Sequence, residues 1–245
     1  MKYSSPLVVE FVGLPGAGKT TVFREVVAQL RREGIAVIPR DEMLQQWKSL
    51  SLLQRLLRLI PQTRNQWSVL WHSVRFAAQV KPINLASFHK VAQLFANVSR
   101  LDAIAPSQGC GVILLDQGFL QEVWSVGITG SFPSSLQIQS ELSCLLRLRR
   151  MAIVEFNIDV ETALGRIQGR PTQESRFDRM QPQEARSRLL QYEAGLQAVI
   201  QGTKVFAPRF MEVDSTHSIE EKANKIVRWI HSLVTQEMPL TSNVN

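Results

Sequence analysis

Cysteine is scarce in this 245-residue chain, which holds only Cys110 and Cys144. Two thiols can build neither a disulfide framework nor a metal cage, so a reducing compartment is the default expectation. Glycine and proline, at 13 and 11 residues, are too few for a collagen-like or low-complexity chain. No uninterrupted apolar stretch reaches the ~18 residues that a membrane span needs. Met1–Glu10 carries one lysine and a short apolar run, without the form of a signal peptide. Together these absences lead to the expectation of a cytoplasmic protein. What is present, 44% hydrophobic and 20% charged residues, makes an ordinary globular chain long enough to bury a core.

Acidic residues are missing altogether from Met43 to Leu101, where Lys48, Arg55, Arg58, Arg64, Arg75, Lys81, Lys90 and Arg100 supply +8. The whole chain carries +7, so the remainder sums to −1 and the positive field is local. A second group of cations runs through Arg166, Arg170, Arg176 and Arg179. Both point to an anionic ligand or partner.

Leu7–Val12 is a short apolar run stopped by Gly13, and Thr20–Arg31 repeats apolar residues at helical spacing before Gly34. That is strand, glycine loop, helix. Further strands are expected at Ile35–Ile38, Val112–Leu115, Ala152–Ile158 and Arg209–Val213. Helical patterns run from Leu44 to Ile60, from Val91 to Val98 and from Ile219 to Leu233. Alternating strands and helices with long crossovers predict a parallel sheet covered on both faces. Without internal repeats or a Gly/Ser linker, residues 1–238 read as a single domain with a helical insert at about 43–100, and 239–245 as a flexible tail. Trp47, Trp67 and Trp71 in the insert read as core or lid packing rather than a membrane anchor.

Gly13-Leu-Pro-Gly-Ala-Gly-Lys-Thr20 satisfies G-x-x-x-x-G-K-[ST] between a strand and a helix, the context that a phosphate-binding loop requires. Gly13, Gly16 and Gly18 let successive N–H groups turn inward, and the helix that follows adds its positive end. Gly13, Gly16, Ala17, Gly18, Lys19, Thr20 and Thr21 form the expected nucleotide-binding set. Lys19 would reach the β- and γ-phosphates and Thr20 would ligate Mg²⁺. The metal needs a carboxylate on its other side; Asp116, closing Val112-Ile-Leu-Leu, either fills that place or caps the next helix.

With these residues in view, the chain resembles the P-loop nucleoside and nucleotide kinase group, most nearly the thymidylate kinases. The resemblance rests on Gly13–Thr20, on Leu94–Arg100 followed by Val112–Asp116, on Ile158-Asp159 with Arg166 and Arg170, on Arg176–Arg179 with Tyr192, and on Glu212–Glu220. It implies a three-layer P-loop NTPase fold, α/β, with a five-stranded parallel sheet in the order 2-3-1-4-5 and a helical insertion between strands 2 and 3. It also implies ATP and Mg²⁺ as cofactors, Arg100 at the acceptor, Arg166 and Arg170 as lid cations on the donor phosphates, and a loop near 212–220 that covers the adenine. Arg166 and Arg170, spaced i, i+4, share a helix face from which both could approach one polyphosphate; the alternative is ion pairing with Glu161 or Glu174.

Two places depart from the thymidylate kinases. Gln117 stands where they carry an acceptor-binding Arg, and Pro39-Arg-Asp-Glu-Met43 replaces their glycine-rich turn. The second tract is similar to kinases of small-molecule and polynucleotide 5′-hydroxyls, whose Asp after strand 2 takes the hydroxyl proton. Asp41 or Glu42 could serve so here, or Asp41 could be an N-cap. Arg40, Asp41, Arg100, Gln117 and Arg176 are the expected acceptor-binding residues, with Phe95 and Trp71 as stacking surfaces. Lys19, Asp41, Asp116, Arg166 and Arg170 are the expected catalytic set.

The leading expectation is thus an Mg-ATP-dependent transfer to a nucleoside or nucleoside monophosphate, with a possible homodimer. Two alternatives stay open. One is a hydroxyl kinase with a non-nucleoside acceptor and Asp41 as base. The other is a nucleotide-switched module whose basic helices from Trp47 to Val80 dock on nucleic acid or an anionic membrane surface.

Overall fold

The computed structural model describes residues 6–51, 53, 54, 57, 60, 64–79, 85–104, 111–127, 150–169, 177, 180–205 and 209–235. Among the described residues the strands are β1 (Leu7–Gly13), β2 (Val37–Pro39), β3 (Val112–Leu115), β4 (Arg150–Asn157) and β5 (Phe210–Asp214). The helices are α1 (Lys19–Arg32), α2 (Arg40–Ser49), α3 (Arg64–Gln79), α4 (Leu85–Ile104), α5 (Phe119–Gly127), α6 (Val160–Gln168), α7 (Pro182–Lys204) and α8 (Ile219–Thr235).

All seven residues of β1 are buried, as befits the middle strand of a parallel sheet covered on both faces. The strand order is β2-β3-β1-β4-β5 and every pairing is parallel. The sheet class and order expected from the resemblance are both present.

Alternation along β1 distributes the helices between the two faces. Phe11 meets Phe23 of α1 edge-on at 5.7 Å, whereas the neighbouring Glu10 accepts N–H bonds from Leu120 and Gln121 of α5. Helix α1, which packs against α8, therefore covers one face and α5 the other. On the α5 face the Trp124 indole N–H donates to the Tyr192 carbonyl of α7 at 3.0 Å. The Trp124 ring also stands edge-on to that of Tyr192 at 5.2 Å. Each aromatic buried this way contributes about 2–3 kcal/mol by leaving water.

Two expected elements have different limits. The Ile35 N–H bonds to the Leu30 carbonyl at 2.9 Å and closes α1, so β2 begins only at Val37 and not at Ile35 as its apolar run predicts. The helical pattern from Leu44 to Ile60 is interrupted at Leu50, whose ψ of 146° is extended. A reciprocal cap follows, with the Ser51 N–H on Gln54 Oε1 and the Gln54 N–H on Ser51 Oγ.

Candidate functional site

Because all five strands are parallel, their C-terminal ends lie along one edge of the sheet, where the loops of an α/β fold bind ligands. The glycine loop leaves β1 in the middle of that edge. Asp116 follows β3 and Arg40–Asp41 follow β2 on one side; α6 follows β4 and the 215–218 turn follows β5 on the other.

Gly16 and Gly18 have φ of 87° and 82°, the left-handed region that glycine enters without steric cost. A Cβ on Gly16 would stand 2.7 Å from the Ala163 carbonyl oxygen, so the loop packs directly on α6 and admits no side chain there. Gly18 N-caps α1 without a side-chain bond, and no acidic residue occupies the first turn. The positive end of α1 is thus not neutralised by its own sequence. Lys19 Nζ donates to the Gly13 and Leu14 carbonyls at 2.7 and 2.9 Å, which holds the ammonium over the loop. Thr20 and Thr21 are exposed on the first turn of α1, and Asp116 Oδ1 is buried without a hydrogen bond to any described residue. A hydroxyl and a carboxylate oxygen lacking a donor are a donor set that fits Mg²⁺ together with phosphate oxygens.

On the β4–β5 side a groove of about 360 Å³ runs between Asn157, Asp159 and Arg166 on one wall and Asp214, Thr216 and Lys225 on the other. Ser215 binds its floor together: its N–H and its hydroxyl both donate to the Asn157 carbonyl, at 3.1 and 2.6 Å. The Ser215 carbonyl in turn accepts from Arg166 Nη2 at 2.8 Å and from Lys222 Nζ at 3.1 Å. Burial, and then the nearby Arg166 guanidinium, lower the Lys222 ammonium from its ordinary range. Asp159 caps α6 through the Thr162 N–H and hydroxyl, at 2.8 and 2.6 Å. Those bonds hold its carboxyl below the usual range.

The β2–β3 side is built from side chains instead. Arg100 of α4 lies 5.5 Å over the Trp47 ring of α2 and donates to Asn97 Oδ1 at 2.8 Å. Asn97 Nδ2 makes a long 3.4 Å contact to Glu122 Oε1 of α5. Burial raises the Glu122 carboxyl, against the pull of Lys90, Arg40, Asn97 and Arg100. Two buried polar atoms in this cluster, Arg100 Nε and Glu122 Oε2, make no hydrogen bond among the described residues, and neither does Oε1 of Gln121, the residue before Glu122 in α5. One donor and two acceptors without partners are costly unless a ligand or water meets them.

Beneath the cluster is Glu10, fully buried in β1. Its Oε1 accepts from the Leu120 and Gln121 N–H groups at 2.8 and 3.1 Å, anchoring the start of α5 immediately after Asp116. Gly118 makes room, since a Cβ there would fall 2.6 Å from the Glu10 carboxyl. Desolvation pushes this carboxyl up to about 8 despite the N–H bonds.

Of the residues expected from the sequence, the structure brings Arg40 and Arg100 to the β2–β3 side, with Asp116 at the adjoining strand end. Asp41 is exposed on the first turn of α2; Pro39 is the N-cap, so the capping role considered for Asp41 falls away. Glu42 is taken up by Arg31 of α1 at 2.6 Å. Gln117 is exposed at the turn. Arg166 is not paired with Glu161, which binds Arg186 at 2.5 Å. Arg170, Arg176 and Arg179 lie outside the described residues, as do Cys110, Cys144 and the tail. Trp71 is not a stacking surface of the cluster: it is 69% exposed on α3, and Trp47 takes the place beside Arg100. Trp67 is likewise 56% exposed, so neither it nor Trp71 packs into the core.

Sequence reasoning missed Glu10, Asn97, Gln121 and Glu122. Glu10 had a visible signal, a single acid inside an apolar strand. The others come from two helices with no spacing rule to connect them.

By sequence, neither a protein-family model nor a curated relative matches the chain. Among solved structures the fold is similar to deoxyadenosine kinase from M. mycoides with bound dATP, with a TM-score of 0.50 and 14% identity over 92% of this chain and 100% of that one. The chain has the fold of the P-loop kinases.

Proposed function

We propose that the chain is an ATP-dependent phosphotransferase of the nucleoside-kinase type, which moves the γ-phosphoryl group to a hydroxyl of a nucleoside or a similarly sized polar acceptor. The observation that carries this reading is the division of the strand-end edge: a glycine loop with Lys19 in the middle, a groove on one side and a cluster of polar side chains with open valences on the other. Similarity of fold to a kinase with a bound nucleotide supports it.

In this reading the donor base rests in the groove of Asn157 and Asp214, and its phosphates bend over Gly13–Thr21 toward β3. The loop N–H groups and Lys19 hold the β- and γ-phosphate oxygens and offset the charge that gathers on them during transfer. Arg166, with Arg170 and Arg176 from the segment beyond it, closes over the polyphosphate and excludes water. Thr20 and Asp116 would hold Mg²⁺, which supplies charge neutralisation at the phosphates when bound. Arg40, Asn97, Arg100, Gln121 and Glu122 bind and orient the acceptor, while Gln117 borders it. Asp41 accepts the hydroxyl proton as the new P–O bond forms and the bond to the β–γ bridging oxygen breaks.

A second reading is transfer to a monophosphate, favoured by Arg40 and Arg100 acting together at the cluster. Glu122 among them argues for the neutral acceptor, because its open Oε2 is met by a hydroxyl or N–H donor, which a phosphate dianion lacks. Incubation with γ-labelled ATP, Mg²⁺ and a panel of nucleosides, nucleoside monophosphates, sugars and a 5′-hydroxyl oligonucleotide decides between them. Label on a nucleoside or other small hydroxyl compound is expected, and label on a monophosphate selects the second reading. Hydrolysis alone across the panel rejects both.

A further inference from the structure

Helix α3 turns two apolar faces outward and inward at once. Val69, Ser73 and Phe76, at i, i+4 and i+7, are buried at 0–2% exposure. Trp67, Trp71 and Val74, at the same spacing, lie on the opposite side of the helix and are 56%, 69% and 38% exposed. A helix on a globular surface normally sets polar residues on its outer face. The stripe is continued in sequence by exposed apolar residues on either flank, Leu53 and Ile60 before α3 and Leu85 after it. Exposed tryptophan and aliphatic groups gathered in one segment mark an interaction site rather than scattered surface apolarity.

Charge decides the occupant. From Met43 to Leu101 the chain has eight cations and no acid, and Arg75, exposed one turn beyond Trp71, belongs to that set. A second copy of the chain would bring one such segment against another with no acid in either to pair. A nucleic acid would neutralise the cations but would gain little from Leu53, Ile60 and Val74. An anionic lipid surface takes both, because aliphatic and indole side chains enter the interfacial zone while Arg and Lys meet the headgroups. No helix of the described residues is long and apolar enough to cross a membrane, so such contact would lie in the interface plane.

We propose that the outer face of α3, with its flanking apolar residues, docks the protein on an anionic bilayer surface. This goes beyond the kinase reading and does not depend on it.

The test is flotation of the full chain with vesicles of phosphatidylcholine alone or with about one third phosphatidylglycerol. Partitioning at least ~10-fold stronger into the anionic vesicles, weakened by salt and accompanied by a blue shift of tryptophan emission, is expected. The Trp67→Ser/Trp71→Ser double variant should lose roughly 10-fold or more of that partitioning, and Arg75→Glu, which keeps the apolar stripe, a smaller part. Both variants should keep the wild-type melting temperature and nucleotide turnover. Equal partitioning into both vesicle types, or unchanged binding by both variants, overturns the proposal. So does failure to bind vesicles combined with either an RNA complex or a dimer that the double variant breaks.

Discussion

The two sides of the glycine loop are built in different ways. In the loop itself and toward β4 and β5, cations are already engaged by backbone carbonyls: Lys19 by Gly13 and Leu14, Arg166 and Lys222 by Ser215. Toward β2 and β3, side chains bind side chains across three helices, and Arg100, Gln121 and Glu122 keep buried atoms without hydrogen bonds among the described residues. Backbone groups are the same whatever the sequence, so the first side suits a ligand common to many proteins. Open side-chain valences discriminate between ligands, because a molecule lacking the matching group leaves them unpaired. We take the first side to serve the donor and the second to select the acceptor.

Lys19→Ala should break both sides together. Turnover is expected to fall by about 10³ or more, since in the proposed reaction the loop's cation serves the transferred group itself, while thermal denaturation shows an intact fold. Normal turnover in the folded variant would remove the kinase reading.

Glu122→Ala tests the acceptor side alone. Its loss should raise the KM for the acceptor about 10- to 100-fold and leave the KM for ATP unchanged. Equal effects on the two KM values would mean that the two sides are not separable. Arg166→Ala is the mirror experiment, expected to raise the KM for ATP roughly 10-fold through a loosened Ser215 turn and a lost phosphate contact, with the acceptor unaffected.

Glu10 supplies the smallest effect and a pH signature. Its carboxyl titrates near 8 when folded and near 4.5 when unfolded, so between those values the folded state holds the extra proton and stability falls as pH rises. Glu10→Gln keeps an oxygen for the Leu120 and Gln121 N–H groups and carries no charge. Relative to the variant, the wild type should lose stability progressively between pH 5 and pH 8 in urea denaturation, with little difference near pH 5. A pH-independent difference would show that Glu10 is neutral by another route.

Local chemistry explains which parts were legible. Strand β3 and the glycine loop announced themselves because an apolar run and a glycine pattern are complete within a few residues. The start of β2 is not legible because Ile35 looks like a strand residue, while its N–H is used to finish α1. Helix α2 stops at Ser49 although apolar spacing continues, since Ser51 and Gln54 restart the helix with their own cap. Glu10 was absorbed into an apolar run; only its contact with α5 gives it a task. The family likeness singles out Arg100 but not Asn97 or Glu122, because their meeting depends on how α4 packs against α5.

The amino-acid order by itself determined the glycine loop between strand and helix, the parallel α/β class, and the confinement of positive charge to one acid-free segment. Each follows from short-range rules: steric freedom at glycine, periodicity of apolar residues, and a count of charges. Only the tertiary structure decided which face of α3 meets water, which carboxylates are buried, and which polar atoms stand open beside Asp116. Those outcomes depend on the packing of helices distant in sequence, where desolvation and lost hydrogen bonds act on groups that composition cannot bring together.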